Sequence, residues 1–490
     1  MAPIDTLILE SFAWTPHIET AAEIAITRAR EGERVGFVFL NTDNPDDLSR
    51  IVRGTRNKFL GFSYKNKLRR LYKLLRKNGV TILHSRRLSE NTVRDITGFA
   101  QNAPLNLEQL KEYDYKGAAL GLAAASSLIS KTGLSQPSLS EHQDLLRRYL
   151  HAAATSFEES LLILKEAKPQ RIISFNGRFA CAKGIFEAAR QLSIPSFYHE
   201  RGATFEKYAI HSKPVHDISY QRSEVKRHWD QADASRDKLG HQFFTLRREG
   251  HGIGWTSFTT QQTRDLVPEN IEKRKIVYFS SSDDEIAAVG NLVKQPIFPN
   301  QQAAIRFLID WTNKSPNTQL IIRVHPHLQK KSAIDLHWWL SLEERNVTII
   351  PPASSVDSYA LMDWSDIVLS YGSTAGIEAA YWGKPSVLLG DSLYRGLNCV
   401  YEPISEDEIT GLLDQQALPA LPKNNCLPYG CYFLSHGIKY TYYQPKNLFT
   451  GQICGTRLTT EPDWLSSARK LIPMNTLSRI KRVLFPKHLG

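Results

Sequence analysis

The sequence predicts an α/β protein: two successive Rossmann-like, doubly wound units, with a basic helical tail after them. Three observations lead there. The opening segment reads as strand, helix, strand, which is how a parallel βαβ unit begins. A second series of the same kind starts afresh near Lys275. The chain of 490 residues also exceeds what one core normally serves, since domains usually hold about 100–200 residues.

In chain order, Thr6 to Glu10 is the opening strand, His17 to Arg30 a helix and Val35 to Leu40 the second strand, with Gly32 in the turn between them. Ile82 to His84 is a short strand, and Glu141 to Glu166 a long helix. Arg171 to Gly177 is a β-rich run feeding a helix through Arg190, and Ile194 to Gly202 is the next strand with its exit loop. From Gly202 to about Arg264 the pattern loosens into a polar stretch dotted with aromatics. Lys275 to Ser282 opens the second unit, Gln301 to Asn313 is helical, and Gln319 to His327 is a strand ending in a loop. NVTIIPP, DIVLSYGSTAG and KPSVLLG follow as strands, with short helices at Tyr359–Trp364 and Ile377–Trp382. The simplest division is a Rossmann-like unit over 1–268, a second over 269–425, and an irregular, aromatic-rich extension over 426–490. That extension is free to cross back onto the first unit, although no residue in it requires the crossing. No short-period repeat interrupts the pattern.

An apolar fraction of 42% with 23% charged residues is ordinary for a globular chain and excludes wholesale disorder. No run approaches the roughly 20 apolar residues of a spanning helix, and MAPIDTLILESFAW lacks the basic-then-apolar order of a signal peptide. Cys181, Cys399, Cys426, Cys431 and Cys454 are scattered, form no CxxC pair and fit a reducing compartment better than a disulfide framework. These features place the protein in the cytoplasm.

The net charge of +11 attracts anions: nucleic acid, an anionic membrane or phosphorylated substrates. Two basic segments carry apolar residues at helical spacing. One sets Leu68, Leu71, Tyr72 and Leu75 among Lys65, Lys67, Arg69, Arg70, Lys73, Arg76 and Lys77. The other, over 477–490, sets Leu477, Ile480 and Leu484 among Arg479, Lys481, Arg482 and Lys487. Either suits peripheral contact with an anionic bilayer, and either suits packing on its own domain; the tail is the better membrane candidate. Nucleic-acid binding is not expected, because no helix-turn-helix, RNP or zinc signature accompanies the charge.

Ligands of open α/β sheets bind beyond the carboxyl ends of the strands, so the residues just after each strand are the most informative. In DIVLSYGSTAGIEAAYWGKP a strand ends near Ser370 and a helix opens after Ser373 and Thr374, where small residues let backbone N–H groups and the helix dipole meet a phosphate. The ordinary use of such a serine is as a helix N-cap. Glu378, one turn on, suits ribose hydroxyls. In RVHPHLQ, Arg323, His325 and His327 emerge from an apolar strand around Pro326, a set able to neutralise a diphosphate or assist a leaving group. His-Pro-His lacks a third ligand at zinc spacing, so no metal is expected. In SSSDDE, Ser280 and Ser281 follow the first strand of the second unit and either face phosphates from the other side or cap a helix. In the first unit, SFNGR and FYHERG bring Asn176, Arg178, His199, Glu200 and Arg201 to neighbouring strand ends. Glu200 is the leading candidate for a catalytic carboxylate, with a buried Glu–Arg pair as its structural alternative. His17 and Glu19, after the first strand, come second.

HERG after a glycine-terminated FNGR strand, then HPH, then YGSTAGIEAAYWGKP, in that order, resembles the bacterial capsule and lipopolysaccharide biosynthesis glycosyltransferases that include the β-Kdo transferases. More distantly it is similar to the CMP-dependent sialyltransferases. The resemblance spans Arg171–Gly202 and Lys275–Gly396. It implies a metal-independent GT-B enzyme: two Rossmann-like domains facing a central cleft, with a nucleotide-sugar donor, CMP-Kdo or a related ulosonic acid first. It also implies a surface polysaccharide or lipid-linked glycan as acceptor, and hence work at the inner face of the cytoplasmic membrane. His325, Pro326, Ser373 and Thr374 match the residues that hold CMP in the family. Glu200 stands at the first position of the acidic pair that supplies the catalytic carboxylate; Arg201 replaces the second. No cofactor beyond the donor is implied. A UDP-sugar donor, a sugar-nucleotide 2-epimerase, a polyol-phosphate transferase and a non-catalytic assembly scaffold are the alternatives.

Overall fold

The computed structural model describes residues 3–40, 42, 45, 64–252, 262–269, 272–281, 287, 289–326, 328 and 333–461. The first unit contains β1 (Thr6–Glu10), α1 (His17–Arg30), β2 (Val35–Phe39), α2 (Tyr64–Lys77) and β3 (Thr81–Ile82). Four helices follow: α3 (Glu90–Gln101), α4 (Leu107–Lys111), α5 (Leu120–Thr132) and α6 (Gln143–Ala167). Then come β4 (Arg171–Phe175), α7 (Ala180–Gln191), β5 (Ser196–Arg201) and β6 (Lys207–His211), and two helices, α8 (Ile218–Gln231) and α9 (Arg236–Arg248).

Strands β3, β2, β1, β4 and β5 lie in that order and parallel, with β6 antiparallel beyond β5. A parallel sheet needs cover on both faces, and the central strand β1 is buried along its whole length. Leu7 and Leu9 face a core with Leu128, Phe157 and Ile185. Ile8, between them, faces the opposite core with Ile18, Ile24, Leu71 and Leu75, as the twofold alternation of a strand requires. That second core decides between the two readings of the first basic segment. The apolar stripe of the basic helix α2 is consumed inside its own domain, with Leu68, Leu71, Leu74 and Leu75 all buried, so α2 has no apolar face left for a bilayer. The tail at 477–490 lies outside the described residues.

The second unit runs β7 (Arg274–Phe279), α10 (Gln301–Asn313), β8 (Thr318–Arg323), α11 (Ala333–Leu340), β9 (Val347–Ile350), α12 (Ser358–Trp364) and β10 (Ile367–Ser370). It continues with α13 (Thr374–Tyr381), β11 (Ser386–Leu388) and α14 (Glu406–Leu413). Its sheet is parallel throughout, in the order β11-β10-β7-β8-β9. Both sheets therefore share one plan: the chain steps outward from its first strand, returns, and steps out the other way. This is the Rossmann order, and it leaves a switch point between β1 and β4 and another between β7 and β10.

The chain then forms α15 (Leu427–Ser435) and β12 (Ile438–Lys439), and a hairpin of β13 (Tyr443–Asn447) and β14 (Thr450–Ile453). The packing crosses the expected bounds at 268 and 426. Phe243 and Phe244 of α9 share a core with Ile377, Ala380 and Leu388 of the second unit and with Leu427 and Tyr429 of α15. Past α15 the chain does cross back. β12 extends the first sheet by pairing antiparallel with β6, and Tyr440, Tyr443 and Ile453 join the core over α1. Glu23 of α1, 1% exposed, accepts the backbone N–H groups of Thr441, Tyr442 and Tyr443 at 2.6, 2.8 and 2.7 Å. Two Rossmann-like domains thus face each other across a cleft, with crossing segments binding them: the GT-B arrangement. Among the described residues no helix is long and apolar enough to cross a membrane.

Candidate functional site

At the second switch point, β10 ends at Ser370 and α13 begins at Thr374. Gly372, between them, has φ +124, and a Cβ there would lie 2.6 Å from the Asp391 carbonyl oxygen; only glycine fits. Gly372→Ala is expected to cost about 1–3 kcal/mol of stability as backbone strain, read as a lower urea midpoint. An unchanged midpoint would mean that the turn relaxes without penalty. Ser373 is the N-cap of α13, its Oγ accepting the Ala375 N–H at 3.4 Å, and the Tyr394 hydroxyl donates to the Ser373 carbonyl at 2.7 Å. Ser280, after β7, accepts the His325 N–H on its Oγ at 2.8 Å, which ties the β7 exit loop to the His-Pro turn after β8.

One pocket gathers these pieces. Ser280, Arg323, His325, Pro326, Ser373, Thr374 and Glu378 line it, joined by Arg247, Gln262, Ser358 and Tyr359. Arg323 is 2% exposed, yet among the described residues no carboxylate pairs with it. Its guanidinium donates to the carbonyls of Pro351 and Ser354 at 2.5 and 3.1 Å, and its Nε has no partner among the described residues. Burial brings its pKa down to about 10, so it remains a cation at neutral pH. A desolvated cation without a counter-ion favours an anionic ligand at the pocket wall.

Glu378 corrects an expectation. Its Oε1 accepts from Arg247 Nη2 and Nε at 2.8 and 3.1 Å, and its Oε2 accepts from the Tyr359 hydroxyl. With both oxygens engaged and the side chain buried, its work in this geometry is to hold Arg247 at the pocket rather than to await ribose hydroxyls. The attraction of Glu378 pushes the Arg247 pKa further up, and the guanidinium stays charged.

A second cavity, of about 300 Å³, opens between the domains. Glu200, Arg201, Gly202 and Ala203 at the end of β5 line it together with Val289, Val293 and Leu393 from loops after β7 and β11, so the carboxyl edges of both sheets meet there. Among the described residues Glu200 is the single carboxylate in that lining, and its side chain is 25% exposed. Asn176 Nδ2 donates to its Oε2 at 2.7 Å and the Arg201 N–H to its Oε1 at 3.0 Å. Asn176 makes this contact from φ +56, a left-handed conformation that asparagine tolerates better than most residues. Gly177, at φ +79, leaves 2.5 Å between a would-be Cβ and the Tyr198 ring.

His17 Nδ1 lies 4.0 Å from Glu200 Oε1, and its ring packs on Phe175 at 3.9 Å between centroids. Burial, reinforced by the Arg201 cation, holds the His17 pKa well below its usual value. The contact is therefore a neutral imidazole beside a carboxylate, not an ion pair. His216 and His436, also in the cavity lining, are driven down to about 3 and about 4 by burial and are neutral as well.

Other expected site residues are placed elsewhere. Glu19 is buried under Lys67, with Nζ 3.0 Å from its Oε1, and lines a different cavity. Arg178 donates to Ser130 at 3.1 Å and is absent from the cleft lining. Ser281 is held through its backbone by Gln301, with N–H···Oε1 and Nε2–H···O both at 3.0 Å. His199 points away from Glu200, as adjacent strand residues must, and its Nε2 lies 2.6 Å from Glu10 in a fully buried pair. His327 lies outside the described residues. Arg247 and Tyr359 are functional candidates that motif reading passed over. Among the described residues, no group of three or more His, Cys, Asp or Glu side chains is placed to hold a metal ion.

No family model and no curated protein sequence matches the chain. Among solved structures it is similar to the β-Kdo 2,4-transferase of Thermosulfurimonas dismutans KpsC, with 11% identity and a TM-score of 0.35 over 54% of this chain and 79% of that one. The β-Kdo 2,7-transferase of the same KpsC aligns at 14% identity and TM-score 0.34, covering 64% of this chain and 90% of that one. The UDP-GlcNAc 2-epimerase of Neisseria meningitidis aligns at 12% identity and TM-score 0.24, covering 88% and 99%. At these scores none of the likenesses carries a functional argument, which rests on the residues of this chain.

Proposed function

We propose that the protein is a metal-independent GT-B glycosyltransferase that binds a nucleotide sugar at the second switch point and transfers its sugar to an acceptor held in the cleft. One observation carries the reading: three strand ends and α9 bring Ser373 at a helix N-terminus, His325, and two arginines to one pocket, while Glu200 faces the interdomain cavity. A helix N-terminus with one buried and one half-buried cation, Arg323 and Arg247, suits phosphate. A partly exposed carboxylate held by Asn176 suits proton abstraction.

In the proposed step, a Glu200 oxygen takes the proton of an acceptor hydroxyl as that oxygen bonds to the anomeric carbon of the donor sugar. The anomeric carbon–oxygen bond to phosphate breaks, and the phosphate leaves with the electron pair. Arg247, Arg323, His325 and the α13 dipole stabilise the charge that gathers on it. A CMP-linked ulosonic acid is the preferred donor and a glycan or lipid-linked glycan the preferred acceptor; both choices rest on the motif resemblance. Peripheral membrane contact through 477–490, on the cytoplasmic side, belongs to the same reading, and no nucleic-acid partner does.

The test is a thermal-shift panel of CMP, CDP, UMP, UDP, GDP and ADP. A ligand that binds only the folded state stabilises it by about 2.7 kcal/mol at a hundredfold excess over its dissociation constant. CMP is expected to raise the melting temperature, and Ser373→Ala or Arg323→Ala to abolish the shift. A response to UDP alone would replace the donor, and a flat panel would remove the transferase reading.

A further inference from the structure

A third cavity, of about 320 Å³, belongs to neither the donor pocket nor the cleft. It lies wholly on the first domain, at the carboxyl end of β1: the loop Ala13–Thr15, Glu19 of α1, Tyr64 and Lys67 of α2, the hairpin tip Phe449–Gly451, and the segment Arg457–Thr460. Nothing in the transfer step uses it. Its size is at the lower end for small-molecule sites, roughly 300–1,000 Å³.

Its chemistry is specific. Glu19 is 2% exposed. One carboxylate oxygen is satisfied by Lys67 and by the Thr15 hydroxyl, each at 3.0 Å; the other, Oε2, is buried and has no hydrogen-bond partner among the described residues. Lys67 cannot supply a further donor, because its three N–H groups already reach Glu19, the Ala13 carbonyl and Thr15 Oγ1. An unmet buried acceptor is costly, and a ligand hydroxyl has the proton to meet it, which an anionic oxygen lacks; Arg457 is a second cation in the lining. At the rim, Phe449 leaves 69% of its surface exposed at the hairpin tip, beside Thr450, Thr459 and Thr460. An exposed aromatic face, threonine hydroxyls and an unmet acceptor in one lining are complementary to a polyol that has an apolar C–H face.

We infer that this cavity is a subsite for a neutral sugar residue, seated with a hydroxyl on Glu19 Oε2 and its C–H face on Phe449. The inference builds on the transferase reading, for which the subsite would hold a residue of the acceptor glycan remote from the reacting hydroxyl. It lies beside α1, whose first residue, His17, borders Glu200.

The experiment is saturation-transfer NMR with the full chain and three neutral disaccharides: lactose, cellobiose and N,N′-diacetylchitobiose. At least one is expected to receive saturation without nucleotide. Phe449→Ala, at an exposed position that leaves the core intact, is expected to weaken its binding at least tenfold, and Glu19→Gln to weaken it in protein whose melting curve remains cooperative. Ser373→Ala should leave it unchanged. Absence of transfer to all three sugars at millimolar concentration, or binding indifferent to Phe449→Ala, overturns the subsite. The nucleotide panel run on the same samples separates the two readings: a disaccharide signal with no nucleotide response removes the transferase and keeps the subsite, and the reverse pattern removes only the subsite.

Discussion

Glu200→Gln is expected to lower the turnover of sugar transfer by about 10²- to 10⁴-fold, the range that a positioned general base contributes, while the nucleotide-induced thermal shift persists. The substitution keeps the volume and lets the amide oxygen accept from Asn176 Nδ2, now at 2.7 Å from the carboxylate, while the Arg201 N–H loses its acceptor. What disappears is the ability to take a proton. A steady-state assay with the donor identified by the nucleotide panel reads the effect: the loss should fall on kcat, because donor contacts lie in the other pocket. A variant retaining more than about a tenth of the activity would sink Glu200 as the base. His17, the neutral imidazole 4.0 Å away, would then be the group to test.

Glu378→Ala should be the most destabilising substitution at the donor pocket. Removing one partner of a buried ion pair costs about 3–5 kcal/mol, because the other charge is left without compensation. Here the residue left behind is Arg247, whose side chain is 30% exposed and can draw in some water, so the lower end, about 3 kcal/mol, is expected. The Tyr359 hydroxyl loses its acceptor at the same time. Urea denaturation should show a lower midpoint at unchanged slope, and the nucleotide shift should vanish as Arg247 swings free. The double variant with Arg247→Ala should recover part of the stability and none of the nucleotide binding. A loss below about 1 kcal/mol with intact nucleotide binding would mean that Glu378 does not hold Arg247 for a ligand.

The parts of the architecture that periodicity encodes were legible in advance. β1, α1 and α10 lie where the pattern put them, because each buries a full face and so needs a regular apolar repeat. The stretch after Gly202 read as loose and is instead a strand and two helices. α8 buries only Gln221 and Val225, and a helix that covers so little core leaves almost no apolar signature. Arg247 went unnoticed for the same reason: it sits on α9, far from any strand end in sequence, and reaches the donor pocket only because the aromatic pair Phe243 and Phe244 docks that helix on the second domain.

The site itself was half legible. Ser280, Arg323, His325, Ser373 and Glu378, singled out by strand-end logic, line one pocket, since a residue's place after a parallel strand fixes its edge of the sheet. It could not separate a free carboxylate from a paired one. Glu19, Glu200 and Glu378 follow strands alike; whether each meets Lys67, Asn176 or Arg247 depends on contacts between distant elements.

The return of the chain to the first domain bears on the order in which the protein is made. The second sheet has all its strands once Leu388 has been synthesised. The first still lacks β12 at its β6 edge, and Glu23 still lacks the three amides that satisfy its buried carboxylate. A nascent chain leaving the ribosome therefore carries its amino-terminal domain unfinished, with the β6 edge unpaired and α1 uncovered around Glu23, until Tyr443 has emerged. The domain begun first is completed second.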